Sequence, residues 1–302
     1  MPDKIEILPV ALLDEERPTV NGLKRIARSL GLEFGWHYLL DLTWIIRQLG
    51  PSDGKRIMDA GAGTGVMQWY LAEHGAEVLS VDRASRADLP LRFRRRFHTR
   101  GLREQDLLPA SKMFWKRMLA PGKLRAKIIS QTRDLAVTLQ GSQASGKVVI
   151  YNQDLKKLTD IPDSSLDAVV AVSALEHNSV QDLELVVDEL LRVLKPGGLL
   201  LATLCAAADQ DWFHEPSHGW CYSDQSLRRC FRLPADTYSN YELYAELFAA
   251  LVDCAELRDG LASFYSRSGD NGMPWGKWAP QYQPVGVRKI KPTDQIDDKE
   301  NI

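Results

Sequence analysis

Ile57-Met58-Asp59-Ala60-Gly61-Ala62-Gly63-Thr64-Gly65 is the stretch that decides the fold. A short apolar run from Arg56 to Asp59 reads as a strand, and the three glycines turn it into a helix that carries Met67, Tyr70 and Leu71 on one face. Glycines between a strand and a helix let the backbone approach a ligand closely, and the helix N-terminus favours negative groups. His74-Gly75 stops the helix. Val78–Val81 is then a second strand, and its end places Asp82, a carboxylate able to accept both hydroxyls of a ribose, beside the glycine turn. A dinucleotide site shares these features, but its G-x-G-x-x-G fingerprint fails in both registers, at Val66 and at Gln68.

Working outward, residues 35–49 have helical spacing and end at Gly50-Pro51. Further strands are expected at Lys147–Tyr151, Asp167–Ser173 and Leu199–Leu204. Between the last two, Leu183, Val186, Val187, Leu190, Leu191 and Leu194 form one apolar helical stripe, opened by a Ser179/Asp182 cap. Residues 124–139 and 240–257 read as helices, and 261–267 and 284–290 as two late strands. Strands alternating with helices imply a mostly parallel sheet covered on both faces, with ligands at the carboxyl ends of the strands. The expected organisation is an N-terminal helical segment (1–50), an α/β domain (51–290) with a basic insertion (86–123), and a polar tail (291–302) read as disordered.

Composition narrows the function classes. The chain has 302 residues, 44% apolar and 26% charged, with a net charge of −2. That suits a folded protein able to bury a full core. No run of residues reaches the length of a membrane span, and no signal-peptide pattern opens the chain. Four cysteines without a C-x-x-C pair fit a reducing, cytoplasmic setting. The charge is uneven, with twelve Lys/Arg against Glu104 and Asp106 between Arg92 and Lys127.

Five segments in order resemble the class I S-adenosylmethionine (SAM)-dependent methyltransferases: residues 57–65, Asp82, Asn152-Gln153-Asp154-Leu155, Ala174-Leu175-Glu176-His177, and Leu194-Lys195-Pro196-Gly197-Gly198. The short link from Asp154 to Asp167 is similar to the ubiquinone/menaquinone-biosynthesis subgroup, methyltransferase type 11-like. The resemblance implies a Rossmann-like, seven-stranded, mostly parallel sheet and SAM as cofactor. It also implies a cofactor site of Asp59, Gly61, Ala62, Gly63, Gly65, Asp82 (ribose), Asp154 (adenine amino group), Leu155 and Leu175.

Methyl transfer needs positioning, and a hydroxyl acceptor needs a base within reach. The expected bases are His214 and His218, with His177; Asp211 and Glu215 stand nearby. They lie in or beside a run (211–222) after the fifth strand, where the family's acceptor pocket lies. The spacing of His214, His218, Cys221 and Cys230 matches no standard zinc pattern, so no metal is expected. Arg92, Arg94, Arg95 and Arg96, interleaved with Phe93 and Phe97, are expected to meet a phosphate-bearing or lipid-linked acceptor, or an anionic membrane face at the inner membrane. Together with Phe213-His214-Glu215-Pro216 and Met273-Pro274-Trp275-Gly276-Lys277-Trp278, the insertion resembles bacterial methyltransferases of surface-glycan biosynthesis. The expectation is therefore methyl transfer to a small-molecule or glycan-type acceptor, at oxygen. The alternatives are a nucleic-acid methyltransferase, favoured by the basic block, and a non-catalytic SAM-binding partner subunit.

Overall fold

The computed structural model describes residues 2–113, 144–267 and 272–293. The helix expected at 124–139 and the outer part of the tail lie outside them. One sheet runs through the molecule. Its strands are β1 (Lys4–Ile7), β2 (Arg56–Ala60), β3 (Glu77–Asp82), β4 (Arg100–Gly101), β5 (Lys147–Asn152), β6 (Leu166–Val172), β7 (Leu194–Ala206), β8 (Trp212–His214), β9 (Gly219–Tyr222) and β10 (Gln283–Ile290). The order is β1-β10-β7-β6-β2-β3-β5-β4, with the β8–β9 hairpin branching from the end of β7. The central pairs are parallel and β10 runs antiparallel to β7.

Alternation along these strands builds two cores. On β2, Ile57 faces one core and Met58 the other; on β3, Val78 and Leu79 divide in the same way, as do Val148 and Val149 on β5. The first core is closed by α1 (Leu12–Glu15), α2 (Arg17–Leu30), α3 (Tyr38–Leu49) and α4 (Met67–Glu73). The second is closed by the expected apolar helix, Val180–Val193, whose Ser179 cap accepts from the Asp182 amide at 3.2 Å. Period-2 strands buried on both faces are what a doubly wound sheet requires.

The edge of the sheet departs from expectation. Residues 261–267 are not a strand: Ser263–Ser266 is a single 3-10 turn. Leu261, Ala262, Phe264 and Tyr265 suit such a turn as well as a short strand, since four residues do not separate the two periods. The outermost place beyond β10 is taken by β1, pairing Lys4 with Arg288 through Ile7 with Val285. Asn240 completes that edge. Its side chain accepts from the Ile7 amide at 2.7 Å and donates to the Ile7 carbonyl at 3.1 Å. The helix read over 240–257 is broken into Tyr244–Val252 and Ala255–Asp259.

The described part of the basic insertion is tied down internally. Arg92 donates to the Leu30 carbonyl, Arg94 to the carbonyls of Leu89, Ala87 and Leu108, and Arg96 to Ser29 and Glu73. Arg103 grips the fully buried Asp106 and the Asn152 carbonyl. Only Arg95 of the four-arginine run is exposed. No helix among the described residues is long and apolar enough to cross a membrane.

The ring of Trp44, on α3, lies over Gly286 of β10, where an added Cβ would meet the indole at 2.5 Å. Its Nε1 donates to Glu6 at 2.7 Å. Gly286→Val should therefore lower stability by about 1–3 kcal/mol through overpacking. Urea unfolding reads this directly, and an unchanged midpoint would remove Trp44 from its place over the strand.

Candidate functional site

A cavity of about 700 Å³ opens at the carboxyl ends of β2, β3, β5 and β6. On one side it is lined by Asp59, Gly61, Ala62, Gly63, Thr64, Gly65, Asp82, Arg83, Asp154 and Leu155. Of the residues expected at a cofactor site, Leu175 alone stands apart, fully buried in the second core.

Close packing shapes the glycine turn. Gly61 has φ +73° and sits against Ala174, where any side chain would collide with the Ala174 methyl. Gly63 has φ +47°, and its amide donates to Asp82 Oδ2 at 2.8 Å. Asp82 Oδ1 accepts from the Ala84 amide at 2.7 Å. The acid expected to hold a ribose thus also clamps the turn, and each of its oxygens keeps a lone pair for a ligand.

Beneath the turn lies a polar scaffold that sequence reasoning missed. Arg86, only 5% exposed, donates to the Ser80 hydroxyl, to the Ser80 and Tyr151 carbonyls at 2.8 and 3.2 Å, and to the Gly63 carbonyl at 3.3 Å. Ser80 Oγ donates to Gln68 Oε1 at 2.6 Å. Gln68 Nε2 in turn reaches the carbonyls of Ala62, Gly63 and Gly65 at 3.2–3.4 Å. In the sequence, Gln68 registers only as a missing glycine and Arg86 only as one more positive charge. No local signal marks either as buried.

The other side of the cavity is built from segments far apart in the chain. Glu33, Phe34, Gly35 and Tyr38 come from the α2–α3 connection and the start of α3, and Phe264 and Tyr265 from the 3-10 turn. The two segments are joined: Ser263 Oγ donates to Glu33 at 2.9 Å, and the Trp36 amide donates to the Tyr265 hydroxyl at 3.0 Å. Ser173, His177 and Asn178 close the wall after β6.

The three candidate histidines are placed differently. His177 lines the cavity, and its Nδ1 lies 2.9 Å from the His218 carbonyl. A carbonyl only accepts, so Nδ1 carries the proton and Nε2 is the basic nitrogen. His218 is exposed, in a left-handed turn at φ +51°, and is absent from the lining. His214 is buried beside Tyr282, with Nδ1 on Ser217 at 2.6 Å, and burial lowers its pKa. Asp211 is spent on structure, accepting from Ser223 and Ser226 at the start of the helix Asp224–Cys230. Trp278 packs edge-on against Trp36, whereas Trp275 is 73% exposed and away from the cavity.

Burial pushes Asp59 up to about 7, with Arg86 opposing the shift. The unfolded value is about 4, so between about pH 4 and pH 7 the folded protein holds the extra proton. This group's contribution to stability therefore falls as the pH rises through that window, and the loss is complete above it. Asp59→Asn should flatten the slope and leave the variant about 1–3 kcal/mol more stable than the parent at pH 8. Urea titrations at pH 5 and pH 8 check this, and parallel pH dependences of variant and parent would contradict it.

Residues 128–202 match the family described as methyltransferase domain. A 48-residue stretch is 40% identical to the ubiquinone biosynthesis O-methyltransferase of Leptothrix cholodnii, covering 16% of this chain and 20% of that protein. The chain thus spans about a fifth of the length of the curated relative it matches. Among solved structures, the (4+2)-cyclase SpnF aligns over 96% of this chain and 99% of its own at 17% identity, with a TM-score of 0.46. The Burkholderia thailandensis 1,6-didemethyltoxoflavin-N1-methyltransferase, solved with bound 1,6-didemethyltoxoflavin and S-adenosylhomocysteine, aligns over 94% of this chain and 89% of its own at 14% identity, with a TM-score of 0.42. The family match spans β5, β6, the helix Val180–Val193 and most of β7, while the glycine turn lies outside it. The chain is thus similar to a methyltransferase domain over residues 128–202, a segment built into the middle of a doubly wound sheet.

Proposed function

We propose that the protein is a SAM-dependent methyltransferase that methylates a small-molecule acceptor at oxygen. The observation that carries the reading is the charge of the cofactor side. Asp82 and Asp154 line it together with the buried Asp59, with Arg83 the one Lys or Arg among the described lining residues, and the Gly63 amide is already engaged by Asp82. A pyrophosphate would need free amides and cations there. A sulfonium-bearing nucleoside suits the carboxylates, and the cavity is large enough to hold an acceptor beside it.

SAM, when bound, supplies a methyl group already activated for displacement. The chain's residues then have three tasks. Asp82 and Asp154 hold the nucleoside, the clamped turn fixes its depth, and the acceptor wall excludes water and aims the nucleophile. Of the three expected histidines, His177 is the one placed to act on an acceptor in the cavity, and we assign its Nε2 the acceptor's proton. In this reading residues 51–290 form the catalytic domain and residues 1–50 supply part of its acceptor wall. A cytoplasmic setting accords with four free cysteines.

The arginines tied to Leu30, Leu108 and Glu73 weaken the case for an anionic lipid, glycan phosphate or nucleic acid as partner. Among the described residues, the lining offers no basic side chain beyond Arg83 and His177 to an anionic acceptor.

Calorimetry should show binding of SAM and S-adenosylhomocysteine and none of NAD. Asp82→Ala, losing charge-assisted bonds, should weaken that binding by about 2–4 kcal/mol. NAD binding without SAM binding would overturn the assignment. Labelled methyl transfer into fractionated small-molecule extract then identifies the acceptor.

A further inference from the structure

Tyr265 stands on the acceptor wall, in the segment that reads as a strand and folds as a single 3-10 turn. The methyltransferase reading gives it no task. It is 6% exposed, and its place is fixed from several directions. Its amide donates to the Ala262 carbonyl at 3.2 Å, and its ring centroid lies 4.3 Å from that of Phe264. The turn is tied to the α2–α3 connection by Ser263, whose hydroxyl and amide donate to Glu33 Oε1 at 2.9 and 3.3 Å.

A phenol has one hydrogen to give and accepts through its oxygen. The amide of Trp36, a residue only 4% exposed, donates to the Tyr265 oxygen at 3.0 Å. A backbone amide cannot accept, so this bond anchors the oxygen and leaves the phenolic hydrogen uncommitted. Among the described residues no acceptor takes that hydrogen. A donor on a buried residue costs free energy unless a partner in the cavity accepts from it. Burial raises the pKa of Tyr265, so the hydrogen stays on its oxygen at neutral pH. The cavity around it is apolar at Phe34, Leu42, Val172 and Phe264. Glu33 also lines it, so an anionic oxygen brought to this wall would meet a carboxylate, and a neutral one would not be repelled.

We propose that the Tyr265 hydroxyl donates a hydrogen bond to a neutral oxygen of the methyl acceptor, a carbonyl or ether oxygen distinct from the hydroxyl that receives the methyl group. The inference rests on the methyltransferase reading and deepens it by naming the acceptor class. That class is an apolar small molecule bearing a hydroxyl and a second, neutral oxygen that accepts a hydrogen bond. Tyr265 is then a specificity residue. It exchanges no proton, and the hydroxyl's own proton goes to His177 Nε2, so the two hydrogens have separate destinations. A compound lacking the second oxygen leaves the buried phenol unpaired in the complex, which is how such a site rejects it.

The test uses the full chain. The product labelled from SAM in small-molecule extract is isolated and its acceptor identified, and an analogue with a methylene in place of the carbonyl or ether oxygen is compared with it. With the parent, kcat/KM for the analogue should be about tenfold lower than for the acceptor. Tyr265→Phe should lower kcat/KM for the acceptor by a similar factor, mainly through KM, and should use acceptor and analogue alike. Its SAM affinity by calorimetry should stay within twofold of the parent. If the Trp36 amide, left without its acceptor, makes Tyr265→Phe unstable, the parent's choice between the two compounds decides. An identified acceptor without a second neutral oxygen, equal use of the two compounds by the parent, or discrimination kept by Tyr265→Phe each overturns the inference and leaves the methyltransferase reading standing. Loss of SAM affinity in a folded Tyr265→Phe also overturns it, since the hydroxyl would then serve the cofactor. If the parent transfers no label, the methyltransferase reading itself falls, and the inference with it.

Discussion

The guanidinium of Arg86 is buried under the glycine turn, and the cofactor side of the cavity is arranged around it. It bonds to Ser80, Tyr151 and Gly63, and so ties β3, β5 and the turn after β2 to one planar group. Desolvating an arginine is expensive, and burial lowers its pKa accordingly. Part of that cost is offset by the nearby carboxylate of Asp82 and by the carbonyls that surround the fork. The result is a glycine turn held from both sides, by Asp82 above and by Gln68 and Arg86 below. A loop so constrained presents a preformed surface, and little ordering is left for the moment of binding.

What could be read in the sequence follows from how local its causes are. The turn at Gly61–Gly65, the strand ends at Asp82 and Asp154 and the apolar helix Val180–Val193 are written in spacings of a few residues, and the structure places them as that spacing implies. The Arg86–Ser80–Gln68 chain is different. It joins three ordinary polar residues whose burial depends on how two strands and a helix stack, which no local period encodes. The same holds at the sheet edge. Phe264 and Tyr265 look strand-like until their short segment is seen to line a cavity, and the strand beside β10 at the sheet edge is instead Lys4–Ile7, some 280 residues from its partner.

The insertion teaches a related lesson about charge. Its excess of arginine invites an external anion, yet Arg92, Arg94, Arg96 and Arg103 find backbone carbonyls and carboxylates of the same chain. A planar donor with five hydrogens fits such internal acceptors as readily as a phosphate. Counting charges cannot separate the two uses, because it ignores the carbonyls, which are formally neutral. The acceptor wall escapes sequence reading for a further reason: it joins residues 33–38 to residues 264 and 265, and the clasp between them exists only in the folded molecule.

The position of β10 has a consequence for biogenesis. This strand lies between β7 and β1, antiparallel to both, yet among the described strands it leaves the ribosome last. Until it arrives, one flank of β7 offers a row of unsatisfied amides and carbonyls, and β1 has no sheet to join. Contacts of such long sequence separation form slowly, so a nascent or heat-stressed chain passes through a stage with an open, apolar sheet margin. The same margin is where an intermolecular strand would add, so completion of the seam around Val285 and Val287 is the step that closes this route to self-association.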